Sequence, residues 1–285
     1  MSDRTSRRRG PGREVLDLVA RRAGRLVLVL VVVTAFTSVL LSLVPGSLDR
    51  VLYPFDPSNP DVAERQAEIR AELHLDEPIW IRYGAWMGDL VTGDLGDIYG
   101  QSGTDPVRDK VFDALPVSVE LMLAAQVLAL VVAVPLGVHG AHRAGRWSDK
   151  VANTGAFALL ALPSFVLALV LAYVFGVRLG WVRPSGWVPW GESPSGHLRQ
   201  LVLPTVSLAA GQIAVYMRLL RSDMIANLRE DFVTMARAKG IPHRRILWRH
   251  VLRPSSITLL TVAGLNVGSL VGGAVILEVL FDIPG

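Results

Sequence analysis

Apolar residues in this chain fall into five runs of roughly twenty residues, the length that about 30 Å of hydrocarbon demands of a helix. The first run, Leu26 to Val44, holds nineteen residues without a charge. The others are read at Pro116–Gly140, Asn153–Gly176, Leu201–Arg218 and Ser255–Leu280. A soluble helical domain would show shorter, striped runs instead. The pattern therefore predicts an all-α, polytopic transmembrane helix bundle with five spans. Pro135, Pro163 and Pro204 lie within or near the ends of these spans, where neighbouring helices can satisfy the freed carbonyls. Gly264, Gly268 and Gly272 repeat every four residues, so they share one face of the fifth span and let another backbone approach closely.

The polar segments divide the chain into a basic N-terminus (1–25), the first span (26–44), a loop (45–115) and a core (116–285) with a long internal loop at 218–253. Lys and Arg number 8 in residues 1–25, 3 in 140–152 and 9 in 217–254, against six in 46–115 and three around 177–200. The positive-inside rule then places the N-terminus and the 218–253 loop in the cytoplasm and the 46–115 loop outside. A cleaved signal peptide is the alternative for the first run, but its apolar region spans about 7–15 residues, and Val44-Pro45-Gly46-Ser47 is a poor cleavage site.

The outer loop carries fourteen acidic and six basic residues. Asp61–Leu75 shows a weak helical stripe, and Pro78–Leu90 places Ile79, Tyr83, Trp86 and Leu90 on one face. That second helix either lies along the outer membrane surface or packs as a small subdomain on the bundle. Trp181, Trp187 and Trp190, set among Pro184, Pro189 and Pro194, read as interfacial anchors.

Composition narrows the function. The 285 residues are 51% hydrophobic with a mean hydropathy of +0.40, more than one soluble core needs. The absence of cysteine excludes disulfides and thiolate metal sites. The pI near 9.7 and net charge of +4 do not signal nucleic acid, because the basic residues sort by side of the membrane. A phosphate-binding loop needs Gly-x-x-x-x-Gly-Lys-Ser/Thr, whereas Lys110, Lys150 and Lys239 are followed by Val111, Val151 and Gly240. His74, His139, His142, His197, His243 and His250 show no metal-ligand pairing, and His139 and His142 are expected to be solvated. No catalytic site, cofactor site or metal site is legible, so the chain reads as no enzyme.

The 218–253 loop is far longer than a connection requires. Met224, Leu228, Phe232 and Met235 recur at three- to four-residue spacing, predicting one apolar helical stripe. Ala236-Arg237-Ala238-Lys239-Gly240 is a helix stop, since glycine takes the left-handed conformation past the last turn without penalty. Pro242 suits the first turn of a new helix, and Pro242–Leu252 sets Arg244, Arg245 and Arg249 beside Ile246, Leu247 and Trp248. On physics alone this is either a docking element for a cytoplasmic partner or a hairpin resting on anionic lipid.

Here the chain resembles a known family. Asp231-Phe232-Val233-Thr234-Met235-Ala236-Arg237-Ala238-Lys239-Gly240, then Arg245, His250 and Leu252-Arg253, is similar to the cytoplasmic "EAA" loop of the dipeptide and oligopeptide permease subunits of ABC importers. Leu75-Asp76-Glu77-Pro78, Gly93-Asp94-Leu95-Gly96, Pro106-Val107, Leu115-Pro116, Leu162-Pro163-Ser164-Phe165, Leu203-Pro204, Gly272-Gly273-Ala274 with Glu278, and Phe281 with Pro284-Gly285 follow in that family's order. The resemblance implies a type I ABC importer permease of a bacterial cytoplasmic membrane, with Phe232, Met235, Ala236, Arg237, Ala238, Lys239 and Gly240 at the contact with the ATPase. It implies as partners a second homologous permease, one or two cytoplasmic ATPase subunits that bind ATP and Mg, an external solute-binding protein and membrane lipid. Arg253-Pro254-Ser255 and Thr258 depart from the family's pattern, so the start of the fifth span is expected to bend earlier. The family also continues into a sixth helix, and the stop at Gly285 is expected to reflect truncation rather than loss of that helix.

The competing class is an ion-coupled secondary transporter or channel, which places ionisable groups near the bilayer midplane. Only Glu120 and Glu278 lie inside the spans, both toward the outer ends, and the long loop has no role in that scheme. A membrane-anchored assembly protein without a pore is a third class, distinguished by the lack of an ATPase partner. Di- and oligopeptides, nickel chelates and glutathione all remain open as cargo.

Overall fold

The computed structural model describes residues 11–43, 67, 70–71, 73–100 and 103–285, and most of the stripe expected over Asp61–Leu75 lies outside them. The chain forms two compact units, Met1–Lys110 and Val111–Gly285.

In the first unit, helix α1 (Pro11–Leu43) carries the first apolar run as far as Leu43. Its described side chains are exposed on nearly every side, as suits a helix surrounded by lipid. Helix α2 (Ile79–Thr92) starts after Pro78 and stops at Gly93, whose φ of +86° is the left-handed cap. The Tyr83 hydroxyl donates to the Val31 carbonyl (3.1 Å) and lies 2.9 Å from the Thr34 hydroxyl. This face of α2 is therefore fastened to the middle of α1. A short hairpin that the sequence did not reveal follows, β1 (Asp97–Gly100) antiparallel to β2 (Gly103–Pro106) with Ile98 opposite Asp105.

The second unit is built around one long helix. Helix α3 (Val107–His142) exposes Leu115, Val119, Leu123, Val127 and Val131, an apolar stripe at four-residue spacing, and buries Leu121, Ala125, Ala129 and Ala133 on the other side. Helix α6 (Pro194–Asn227) is the most enclosed of the long helices, with 56% of its apolar window buried. It packs against α4 (Trp147–Ala161), α5 (Ser164–Leu171) and α8 (Leu252–Phe281). It also meets α3, where a Cβ on Gly137 would come within 3.1 Å of Leu220 and the Tyr216 hydroxyl donates to Gln126 at 3.1 Å.

One span departs from the expectation. The run read as Asn153–Gly176 is not a single straight helix: α4 and α5 meet at 100° across Leu162-Pro163. Pro163 has no N–H to bond the Leu159 carbonyl and forces its predecessor out of the helical region, and Leu162 is extended, with φ −98° and ψ 122°. Pro116, Pro135 and Pro204 lie inside unbroken helices. After α5 the chain continues as a π-helical stretch, Ala172–Arg178.

Candidate functional site

The 218–253 segment begins and ends at one point. Asn227 closes α6, and its side-chain amide donates to the hydroxyl of buried Ser255 at the start of α8 (2.9 Å) and to the Asp223 carbonyl (3.0 Å). The excursion between them is thus clamped at its base.

The apolar stripe expected from Met224 to Met235 is divided. Helix α6 ends at Asn227, and after a turn through Leu228–Glu230 a separate helix α7 (Asp231–Ala238) begins. Met224 is fully buried, whereas Phe232 and Met235 are 39% and 58% exposed. The face of α7 turned to the protein is Val233 and Ala236, 1% and 6% exposed, which belong to the same core as Ile246, Leu247 and Val251. Ala236, expected at the ATPase contact, turns its side chain into this core. Phe232, Met235, Arg237, Ala238, Lys239 and Gly240 remain on the outer surface.

Gly240 has φ +72°. The Gly240 N–H donates to the Arg237 carbonyl (2.9 Å) and the Ile241 N–H to the Ala236 carbonyl (3.2 Å), the double-bonded helix stop that only a left-handed residue completes. Ile241 packs on the core behind it. The corner is therefore rigid, and a Cβ on Gly240 would meet nothing within 4 Å, so conformation rather than space demands glycine there.

Beyond Pro242, a helical turn (His243–Arg245) and a π-helical stretch (Ile246–Val251) run directly into α8. The second helix of the loop is thus the start of the last span, not a separate element. The i→i+5 stretch sits just ahead of Pro254, which lacks the N–H that would bond the His250 carbonyl. No break interrupts the chain at Arg253-Pro254-Ser255, where an early bend was expected: His243–Phe281 runs on as one continuous helix.

Two fastenings near this end of the bundle were not foreseen. His243 Nε2 lies 2.9 Å from His142 Nδ1, tying the loop to the end of α3, while His142 and His139 both remain exposed as expected; His139 lies 3.3 Å from the Ser148 hydroxyl. Arg221 on α6 forms a bidentate pair with Asp149 on α4, Nε to Oδ1 at 2.5 Å and a terminal nitrogen to Oδ2 at 2.7 Å. Asp149 is 2% exposed and also accepts from the Gly145 N–H and Asn153. Gly140 leaves room for the pair, since a Cβ there would stand 3.2 Å from Arg221 and 3.3 Å from Asp149.

At the opposite end of the bundle, Glu120 of α3 accepts from the indole N–H of Trp190 (2.8 Å) and lies 2.9 Å from Nε2 of fully buried His197. His197 Nδ1 is 2.8 Å from the Val188 carbonyl, and the rings of Trp187 and Trp190 flank the imidazole at 4.6 and 4.2 Å. Trp187 and Trp190 thus take part in a polar knot, with Trp190 48% and Trp181 68% exposed. Among the described residues no cluster of three metal-ligating side chains exists. Gly264, Gly268 and Gly272 share the expected face of α8, and a Cβ on any of them would meet nothing within 4 Å, so none of the described residues packs closely on these glycines.

Residues 133–285 match the family described as binding-protein-dependent transport system inner membrane component. The chain is 34% identical to a putative peptide transport system permease protein of Brucella abortus over 94% of its own length and 83% of the relative's. It is 33% identical to an oligopeptide transport system permease protein of Bacillus subtilis (94% and 84% covered). It is 29% identical to a dipeptide transport system permease protein of Alkalihalophilus pseudofirmus (95% and 86% covered).

Proposed function

This chain belongs to the family of inner membrane components of binding-protein-dependent transport systems, and from that premise we propose that it carries peptides and is driven through the outer surface of α7 and the Gly240 corner. It is a multi-pass, non-catalytic permease subunit of an ABC importer. The secondary-transporter reading is not favoured. Peptide cargo is supported by the relatives' names and by nothing in a particular side chain.

In this reading the partners are a second homologous permease, cytoplasmic ATPase subunits that bind ATP and Mg, and an external solute-binding protein. The N-terminus and the 218–253 loop face the cytoplasm. Phe232, Met235, Arg237, Ala238, Lys239 and Gly240 form the ATPase contact, and Ala236 supports it from behind. The open glycine face of α8 receives the second permease. The observation that carries the assignment is the division of labour in α7: Val233 and Ala236 anchor it to the start of the last span, while two large apolar side chains and two cations face outward. A force on that surface reaches α8 through direct packing.

Gly240→Val forces a branched residue into a left-handed backbone at a local cost of about 1–2 kcal/mol. The variant complex is expected to insert and assemble, but to lose both substrate-stimulated ATP hydrolysis and uptake in reconstituted vesicles. Replacing Arg244, Arg245 and Arg249 together with alanine is expected to change coupling little. The reverse result, normal coupling in Gly240→Val and failure in the triple variant, identifies the segment as a lipid-resting hairpin instead.

A further inference from the structure

The 100° break between α4 and α5 leaves main-chain groups without helical partners: carbonyls in the last turn of α4 and the N–H groups of Ser164 and Phe165 in the first turn of α5. No side chain caps the start of α5. Non-helical backbone at membrane depth is tolerated only where it is covered by protein or lines a wet cavity. Beside this break lies a cavity of about 160 Å³ whose polar lining is Ser164 of α5, Ser207 and Gln212 of α6 and Ser269 of α8, with Gly211 between. That volume has room for several water molecules.

The polar groups are held in place rather than left loose. The Asn266 amide donates to Gln212 Oε1 (2.9 Å), Ser269 donates to the Asn266 carbonyl (2.8 Å), and buried Ser207 donates to the Leu203 carbonyl (2.8 Å). Gln212, Asn266 and Ser269 lie near the middle of their helices, where polar side chains tend to face the bundle interior or a water-filled cavity. The contrast is α3, whose exposed stripe from Leu115 to Val131 is entirely apolar. No ionisable side chain lines the cavity. Hydroxyls and carboxamides can pair with the main-chain amides of any peptide, whereas a fixed charge would select one kind of side chain and hold it. A conduction path needs contacts that are favourable yet weak enough to release.

We propose that this cavity is a water-filled station on the solute path, where Ser164, Gln212 and Ser269 exchange hydrogen bonds with the main-chain amides of a passing peptide. The proposal rests on the peptide-import reading above, but its wetness is testable apart from cargo. Because the chain has no cysteine, Ser269→Cys can be probed in the assembled, reconstituted transporter with a charged, membrane-impermeant thiosulfonate, with Val127→Cys on the lipid-facing stripe as the control. The Ser269 variant is expected to react, to be protected by transported peptide and to lose uptake once modified, while the Val127 variant stays unreactive. A Cβ on Gly211 would meet nothing within 4 Å, so Gly211→Leu is expected to extend into the cavity and to lower uptake roughly tenfold with assembly intact. An unreactive Ser269 variant, or normal uptake with Gly211→Leu, overturns the proposal. Should the cysteine-free parent import no peptide, the cargo assignment fails, and reactivity at Ser269→Cys still decides whether the cavity is wet.

Discussion

Asp149 sits 2% exposed on α4, a position where an unpaired carboxylate would be expensive. Its two oxygens are met by the forked guanidinium of Arg221, the Gly145 N–H and the Asn153 amide, so the charge is compensated on both sides. Removing one partner of such a pair leaves the other stranded, whereas replacing both with apolar residues is often tolerated. Asp149→Ala is therefore expected to destabilise the subunit by about 3 kcal/mol, and Asp149→Leu combined with Arg221→Met to recover most of that loss. Thermal unfolding of the purified subunit in detergent checks both, and equal melting midpoints for the parent and Asp149→Ala would show that the pair contributes nothing. The sequence held both residues in plain sight, but 72 positions apart, and no spacing rule links them.

At the scale of one element, α8 shows how a single helix divides its circumference. Ser255, Leu259, Ala263, Leu270, Ala274 and Leu277 are buried against the rest of the unit, while Gly264, Gly268 and Gly272 face open space. The repeat of glycine was legible from the sequence as one face; what that face meets was not, since periodicity gives angles and not neighbours. A Cβ at Gly268 meets nothing within 4 Å, so Gly268→Leu is expected to leave the isolated subunit's thermal stability nearly unchanged and, on the proposed pairing, to abolish co-purification with a second permease. Normal co-purification would exclude this face from the interface. Helix α7 gives the same lesson in reverse: the apolar residues Phe232 and Met235 look like core positions by type, yet tertiary packing turned Val233 and Ala236 inward instead.

For the whole molecule, the asymmetry of positive charge predicts which side of the membrane each segment occupies. Ser222 near the end of α6 is exposed, and a single cysteine there is expected to be labelled by an impermeant reagent from the cytoplasmic side only. Labelling from outside intact cells would invert the orientation. The same experiment places the Glu120–His197–Trp190 knot on the outer side, because α3 and α6 both begin at that end and finish by the 218–253 segment.

The sequence by itself determined the helical class, the number of apolar runs, the Gly240 corner and the resemblance that identifies the family. These depend on local quantities: the length of apolar stretches, the conformational freedom of glycine and the order of short motifs. Only the tertiary structure decided that the third run breaks by 100° at Leu162-Pro163, whereas the prolines within α3 and α6 do not interrupt their helices. It alone brought Ser164, Ser207, Gln212 and Ser269 around one cavity, joined His142 to His243 and Glu120 to His197, and turned Ala236 inward. The physical reason is common to all of these. Hydrogen bonds and packing between residues far apart in the chain depend on where separate helices meet, and a one-dimensional pattern of polar and apolar residues specifies which face is buried without specifying what it is buried against.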